Sequence, residues 1–483
     1  MATVSSIGIG SNLPLSSLLD DLEKSEKSKL TLIESRQTLA EARISGYGTF
    51  KSALETYQNA AKKLMSNDTW GAAKFSLGTS GVIGVQTTSK AVNGDYSVTV
   101  NRLAQAQSLA SKGQAKQDVA IGTGTITFEF GTVTGYDETS GTYVDPEYTA
   151  NADKTKSITI DSSNNSLQGI RDAINKADMG VTASIVNDGS GTPYRLVLTS
   201  KETGEASTMR ITGSSPELQA LVGYDPESTT QPSGVTETMR ATNASLTING
   251  MAVTSASNTI KEAIQGVTLT AVSVGTSTLK VTRDTDSMVT AVKDFVSAYN
   301  KLQSTISDLT AFDAEAGTNA ALTGDGTVRN IQVQIRSVLN TPQGTDSGAF
   351  SMLSDIGVEF ENDGTMSVDE EKLKEAIGDS LTGVQQLFAG TGGTAGTGGF
   401  ARAISDKVTE LTQTKGTLTL AQEGAKQQLD DLDDQYEAME ARIDATIERY
   451  RAQFTALDAL VAQMNSTSSY LTQQFQAMNN NSK

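Results

Sequence analysis

A repeat of seven residues near the carboxy-terminal end constrains this chain more than any other feature. Leu429, Tyr436, Ile443, Tyr450, Leu457, Met464, Leu471 and Met478 recur every seven positions. A second stripe runs beside it through Leu411, Leu418, Ala425, Leu432 and Met439, slips by one residue to Ile447, Phe454 and Val461, and continues in that register at Phe475. Spacings of three and four sustained this long predict a long helix with an apolar seam. The last proline is Pro342 and the last glycine Gly424, so nothing from Ala425 onward is built to break it. At 1.5 Å per residue such a helix reaches roughly 100 Å, more than one compact domain needs, and its seam has to be buried against another helix.

The partner is expected at the opposite end. Leu30, Ile33, Gln37, Ala40, Ile44, Tyr47, Phe50, Leu54, Tyr57, Ala61 and Leu64 follow the same spacings of three and four. Leu15 to Met65 carries eight basic residues against seven acidic, whereas Leu420 to Asn465 carries ten acidic against four basic. That imbalance favours pairing the two ends with each other. Pro14 suits a first helical turn, and one helix is expected from there to about Met65. Gly46 and Gly48 weaken its middle, which points to a hinge or a domain boundary there.

Composition narrows the function. The 483 residues suffice for several cores. A net charge of -18 with no basic stripe argues against binding nucleic acid through phosphates. The chain has no Cys and no His, which removes disulfides, thiol chemistry, the usual zinc ligands and the commonest general base. No apolar run is long enough for a transmembrane helix. Met1 to Leu19 carries no charge and the first basic residue is Lys24, so a cleaved secretory signal is not expected.

Between the helical ends the period changes to two. Strands are expected at Phe75–Leu77, Val82–Gln86, Tyr96–Val100, Thr125–Phe130, Ser157–Ile160, Thr182–Val186, Arg195–Thr199, Met209–Ile211, Ala244–Ile248, Met251–Val253, Val267–Val272 and Thr278–Val281. One helix, Ser166–Ala177, interrupts them, and loops are expected at Gly131–Asp153 and Asp225–Gly234. Helical spacing returns at about Asp286 and again at Val328–Leu339, and Gly390–Gly399 reads as a flexible linker. The fold class is thus α+β and multidomain, with antiparallel β domains inserted between paired terminal helices.

Candidate chemistry is sparse. Glu359, Glu361, Asp363, Gly364, Ser367 and Glu370 fall near the positions of a calcium loop, but a strand precedes them where a helix is required. A hairpin turn at Asn362-Asp363-Gly364, followed by a capping box from Ser367 and Glu370, explains them better. Gly396, Gly398 and Ala401 match a dinucleotide-binding spacing without the surrounding strand and helix it needs. The acidic run Asp430, Asp431, Asp433 and Asp434 reads as a solvated helix face. No cofactor, metal or enzymatic activity is expected. Ala459 to Ser482 contains no charged side chain yet keeps helical apolar spacing, and both chain ends are expected to be disordered in the free monomer and to fold on assembly.

Several blocks resemble the flagellar filament cap proteins, the hook-associated protein 2 family. They are Ile7–Pro14 (IGIGSNLP), Asn93–Ala106 (NGDYSVTVNRLAQA), Ser166–Asn175 (SLQGIRDAIN), Ile248–Met251 (INGM), Thr259–Leu269 (TIKEAIQGVTL), Phe295–Asn300 (FVSAYN), Leu322–Arg329 (LTGDGTVR) and Tyr450–Phe475. The resemblance spans the chain in order and diverges most in Gly131–Asp153 and Asp225–Gly234. It implies a structural protein at the distal tip of the flagellum, exported by the type III apparatus without a cleaved signal. It also implies a ring-like homo-oligomer with a β plate and helical legs, under which exported flagellin folds. Flagellin and an export chaperone would be its partners.

On that reading, residues 1–45 and 430–483 form the terminal coiled-coil region, 46–72 and 284–429 a helical leg, 73–106 and 240–283 an inner β domain, and 107–239 an outer β domain. The assembly interface is expected along Leu30, Ile33, Ile44, Tyr47, Phe50, Leu54, Leu429, Leu432, Tyr436, Met439, Ile443, Tyr450, Phe454, Leu457, Val461, Met464, Leu471 and Phe475. The competing expectations are a hook–filament junction subunit and an adhesin binding host mucin or glycans through the outer domain.

Overall fold

The structure, a computed structural model, describes residues 14–228, 235–313, 318–343, 349–390 and 398–480. The chain divides into two compact units, Met1–Ser66 with Asp286–Lys483, and Asn67–Thr285. The expected linker at Gly390–Gly399 and the Gly396 position of the dinucleotide-like spacing fall largely or wholly outside the described residues, as do residues 1–13, 229–234 and the side chain of Met478.

The helical unit contains Leu15–Lys27, Leu30–Met65, nearly all of Thr285–Thr310, Gly326–Leu339, Glu370–Asp379, Leu381–Ala389, Phe400–Thr412 and Thr417–Asn480. The last is one helix of 64 residues, as the heptads predict. The single helix expected from Pro14 to Met65 is instead interrupted at Ser28 and Lys29. There the Lys29 N–H turns back to the Glu26 carbonyl three residues away and the Ser28 hydroxyl donates to the Ser25 carbonyl at 2.6 Å.

Gly46 is no hinge, because the helix runs unbroken through it. A Cβ there would lie 3.0 Å from Leu322 Cγ, so the missing side chain is what lets Leu322 approach. Phe50, Leu54, Tyr57, Ala61 and Leu64 continue from that contact as a fully buried stripe. Aromatic rings build the centre, with Tyr57 5.1 Å from Phe295 and 5.7 Å from Tyr299, and Phe295 5.9 Å from Phe388.

Val358–Phe360 and Met366–Val368 form the expected hairpin around Asn362-Asp363-Gly364, with Gly364 at φ +86. The capping box does not form. Ser367 lies in the second strand, where its hydroxyl donates to Glu361 at 2.6 Å. Asp369, the nearer acceptor, caps the helix by accepting from the Glu371 and Lys372 N–H groups at 3.0 and 3.1 Å.

The β unit holds two modules. The inner one has a five-stranded antiparallel sheet in the order Ala73–Leu77, Gly275–Arg283, Gly94–Arg102, Ala244–Ile248, Met251–Ser255. A three-stranded sheet of Thr259–Ile264, Val267–Ala271 and Ile83–Thr87 joins it over a core including Val98, Val100, Leu246, Leu269 and Leu279. The chain enters and leaves this unit through neighbouring strands, with Ala73 opposite Arg283 and the Asp284 N–H donating to the Ala72 carbonyl at 2.9 Å.

The outer module has one sheet of Thr236–Met239, Ser108–Ala110, Tyr194–Ser200 and Val181–Asn187, and another of Thr208–Gly213, Gly124–Val133 and Tyr148–Ile160. The helix Leu167–Ala177, capped by the Ser166 hydroxyl, buries Leu167, Ile170 and Ile174 in their shared core. The expected loop 131–153 is mostly a hairpin arm. Strands extend to Val133 and from Tyr148, and a ribbon of Tyr136–Asp137 against Thr142–Tyr143 closes it. Polar side chains suit this arm because both its faces are largely exposed.

Candidate assembly surface

The terminal helix is covered along only part of its length. Leu30–Met65 runs antiparallel to it, with Gln37 donating to Asp433 at 2.7 Å and the Tyr436 hydroxyl donating to Glu34 at 3.3 Å. Further along, Leu19 and Leu30 bury Ile443 and Ile447, and Tyr436, Met439, Tyr450 and Phe454 pack around that cluster. Ile443 is only 2% exposed. The two helices at the start of the chain thus cover the seam between Leu432 and Phe454.

Among the described residues the same stripe is largely exposed beyond Phe454. Leu457 is 40% exposed, Met464 63% and Phe475 66%, and Leu460 and Leu471 are also exposed. Val461 is half-buried. Leu460, Met464, Leu471 and Phe475 line a shallow groove with Gln463 and Thr467 between them. After Asp458 no side chain in the helix is charged. Such a stripe offers an apolar strip with hydrogen-bonding flanks and no fixed charge. Burying each large side chain would contribute about 1.5–3 kcal/mol.

The other expected interface residues fall elsewhere. Tyr47, Phe50 and Leu54 are buried inside the helical unit, and Ile33, Ile44 and Leu429 are half-buried beside the helix pair. Leu432 is buried. Tyr47 donates to Asp325 at 2.5 Å, Arg43 lies 3.4 Å from the same oxygen, and the other carboxylate oxygen caps Gly326–Leu339 through the Thr327 and Val328 N–H groups at 2.8 and 3.1 Å. Burial works against the Asp325 charge. The hydrogen bonds from Tyr47, Val328, Thr327 and Arg43 outweigh it and hold the carboxyl below its usual range. Exposed Leu18, Leu32 and Leu39 lie off the main stripe, although Leu32 and Leu39 keep the seven-residue spacing.

Among the described residues no cluster of acidic side chains is arranged to hold a metal ion, and no helix is long and apolar enough to cross a membrane. Helices from both ends that pair with each other, β modules spliced between them, and an apolar stripe outrunning its own cover define a structural assembly subunit. Comparison with known proteins gives the family. Models of the flagellar hook-associated protein 2 amino and carboxy termini match residues 11–107 and 241–466, and the flagellin hook IN motif matches 149–202. Flagellar hook-associated protein 2 of Escherichia coli is 38% identical over 100% of both chains, and that of Salmonella typhimurium 37% over 99% of this chain and 100% of its own. The crystal structure of the D1-D2-D3 domains of the flagellar cap protein FliD from Escherichia coli superposes with a TM-score of 0.64 at 35% identity, covering 79% of this chain and 99% of that one. The chain belongs to the flagellar hook-associated protein 2 family.

Proposed function

We propose that this protein caps the distal end of the bacterial flagellar filament as a homo-oligomer and promotes folding and insertion of exported flagellin. Family membership supports the cap, and the bare stripe from Leu457 to Phe475 is the observation that supports its mode of action. A seven-residue apolar repeat with uncharged flanks engages any helix of matching pattern without demanding particular ion pairs. Leu457, Val461, Met464, Leu471 and Phe475 form the contacting set, with the covered seam from Leu432 to Phe454 as its anchor. Before export the same stripe is shielded by a flagellar chaperone in the cytoplasm, and the chain leaves through the type III apparatus.

The experiment compares cells with and without the protein for the state of their flagellin. Release of monomeric flagellin into the medium, reversed by adding the purified protein, is the expected result. Filaments of normal length in its absence would sink the cap reading and direct attention to the outer module as an adhesin for mucin or glycans.

A further inference from the structure

We infer that the hairpin arm of the outer β module, residues 133–148, is a strap that acts with the 203–205 loop, whose Thr203 hydroxyl donates to the inner module's Ala256 carbonyl at 2.7 Å, to fix the angle between the outer and inner modules. The inference concerns the monomer and does not depend on the capping reading. Two connecting segments join the modules, 103–107 and 240–243, and they pair with each other through the backbone of Gln105 and Thr242 at 2.9 and 3.2 Å. A two-chain connection of this kind is a natural hinge.

The arm reaches across to that hinge. Near its tip, Glu138 accepts from Arg102 at 2.6 Å and from Arg240 at 2.9 Å through the same carboxylate oxygen. Arg102 ends the inner strand Gly94–Arg102, and Arg240 stands in the second connector. The Arg240 guanidinium lies 3.5 Å from the centre of the Tyr136 ring, and Tyr136 meets Tyr143 edge-on at 5.0 Å. Arg102 also donates to the Asn243 carbonyl at 3.2 Å and lies 3.8 Å from Glu205 of the outer module. One inner-module arginine therefore senses two separate parts of the outer module.

A lone exposed ion pair would hold little. Here one carboxylate takes two guanidiniums, and one of those is clamped by an aromatic ring. The arm is stiff enough to bear the load: the Val144 N–H donates to the Gly135 carbonyl at 2.7 Å, the Thr134 N–H to the Glu147 carbonyl at 3.0 Å, and Asp137 closes the tip by accepting from the Thr139 N–H at 2.9 Å. At Gly135, with φ +83, a Cβ would lie 2.4 Å from the Val144 carbonyl oxygen, so the strap can leave the sheet only at a glycine. None of these contacts is needed for the outer core, which is formed by the two sheets and the helices Leu167–Ala177 and Pro216–Val222.

The chain has no cysteine, so spin labels can be placed at will. Gly191→Cys in the outer module and Thr254→Cys in the inner one report the distance between them in the full-length monomer by pulsed electron resonance. The parent should give one narrow distance distribution. Two variants remove the strap: replacement of residues 136–143 by an Asn-Gly turn between the hydrogen-bonded Gly135 and Val144, and Glu138→Arg, which sets a third cation against Arg102 and Arg240. Both should lose the single narrow peak while circular dichroism stays unchanged. Retention of that peak in Glu138→Arg, a substitution at an exposed tip that leaves the core untouched, would overturn the proposal even if the turn-replacement variant failed to fold.

Discussion

Side-chain amides stand in for backbone at several junctions of this protein. Asn300 donates to the Met366 carbonyl and accepts from the Met366 N–H, both at 2.8 Å, so a helix residue completes the edge of the Val358–Val368 hairpin. Asn175 does the same for Ala183, and Asn258 for Ala104. Asn300→Ala would leave both Met366 groups unpaired, and we expect urea unfolding of the helical unit to show a loss of about 2 kcal/mol. Asn175 and Asn300 each close a block of family resemblance, which does not disclose what their amides bond. These bidentate amides span 8, 66 and 154 residues, separations that no local period announces. Asp325 belongs to the same scale. Its carboxyl is held below its usual range, so it contributes stability that is present above its unfolded pKa and is lost as pH falls through the folded value. Asp325→Asn should therefore lower stability at neutral pH and flatten the acid limb of a stability–pH profile below about pH 4, the ordinary Asp value. An acid limb as steep as that of the parent would show that another carboxylate carries it.

Among elements, the two glycines of Leu30–Met65 separate what spacing can and cannot tell. Both look like weak points in a helix, and the structure gives them opposite roles. Gly46 is packed under Leu322, whereas a Cβ at Gly48 would meet only Gln422, at 3.9 Å. Gly48→Ala should stabilise the helical unit by about 1 kcal/mol through helix propensity. Gly46→Val should destabilise it by about 1–3 kcal/mol through overpacking, and thermal melts of the two variants should move in opposite directions. Strands of alternating pattern, such as Tyr194–Ser200 and Ala244–Ile248, were legible from the residues alone. Thr259–Ile264 was not, because Lys261, Glu262 and Ala263 break the alternation around a bulge where Glu262 takes φ +60. The helix Pro216–Val222 was also missed, being too short to show a period.

On the scale of the whole chain, the long terminal helix and its partner were the most legible feature, since seven-residue spacing survives without tertiary context. The place where cover ends was not, because Leu457 and Ile443 occupy equivalent positions in one stripe. The difference lies in what faces them. Ile443→Asp would place a charge in the Leu19–Leu30 cluster and should cost the monomer about 3 kcal/mol or more. Leu457→Asp and Leu471→Asp change exposed positions, so the monomer should melt as the parent does while capping is lost in a complementation assay. Normal motility in both variants would remove the bare stripe from the mechanism.

The β unit leaves the chain through the strand that neighbours the one by which it entered, with Ala73 opposite Arg283. A segment whose two ends are already side by side behaves as a cassette. Its length and content are invisible to the residues that flank it, so the inserted modules can be lengthened, trimmed or replaced without disturbing the pairing of the terminal helices. The outer module repeats the arrangement within the inner one, its connectors paired at Gln105 and Thr242. Nested in this way, each module can change in length or content without altering the strands that carry it.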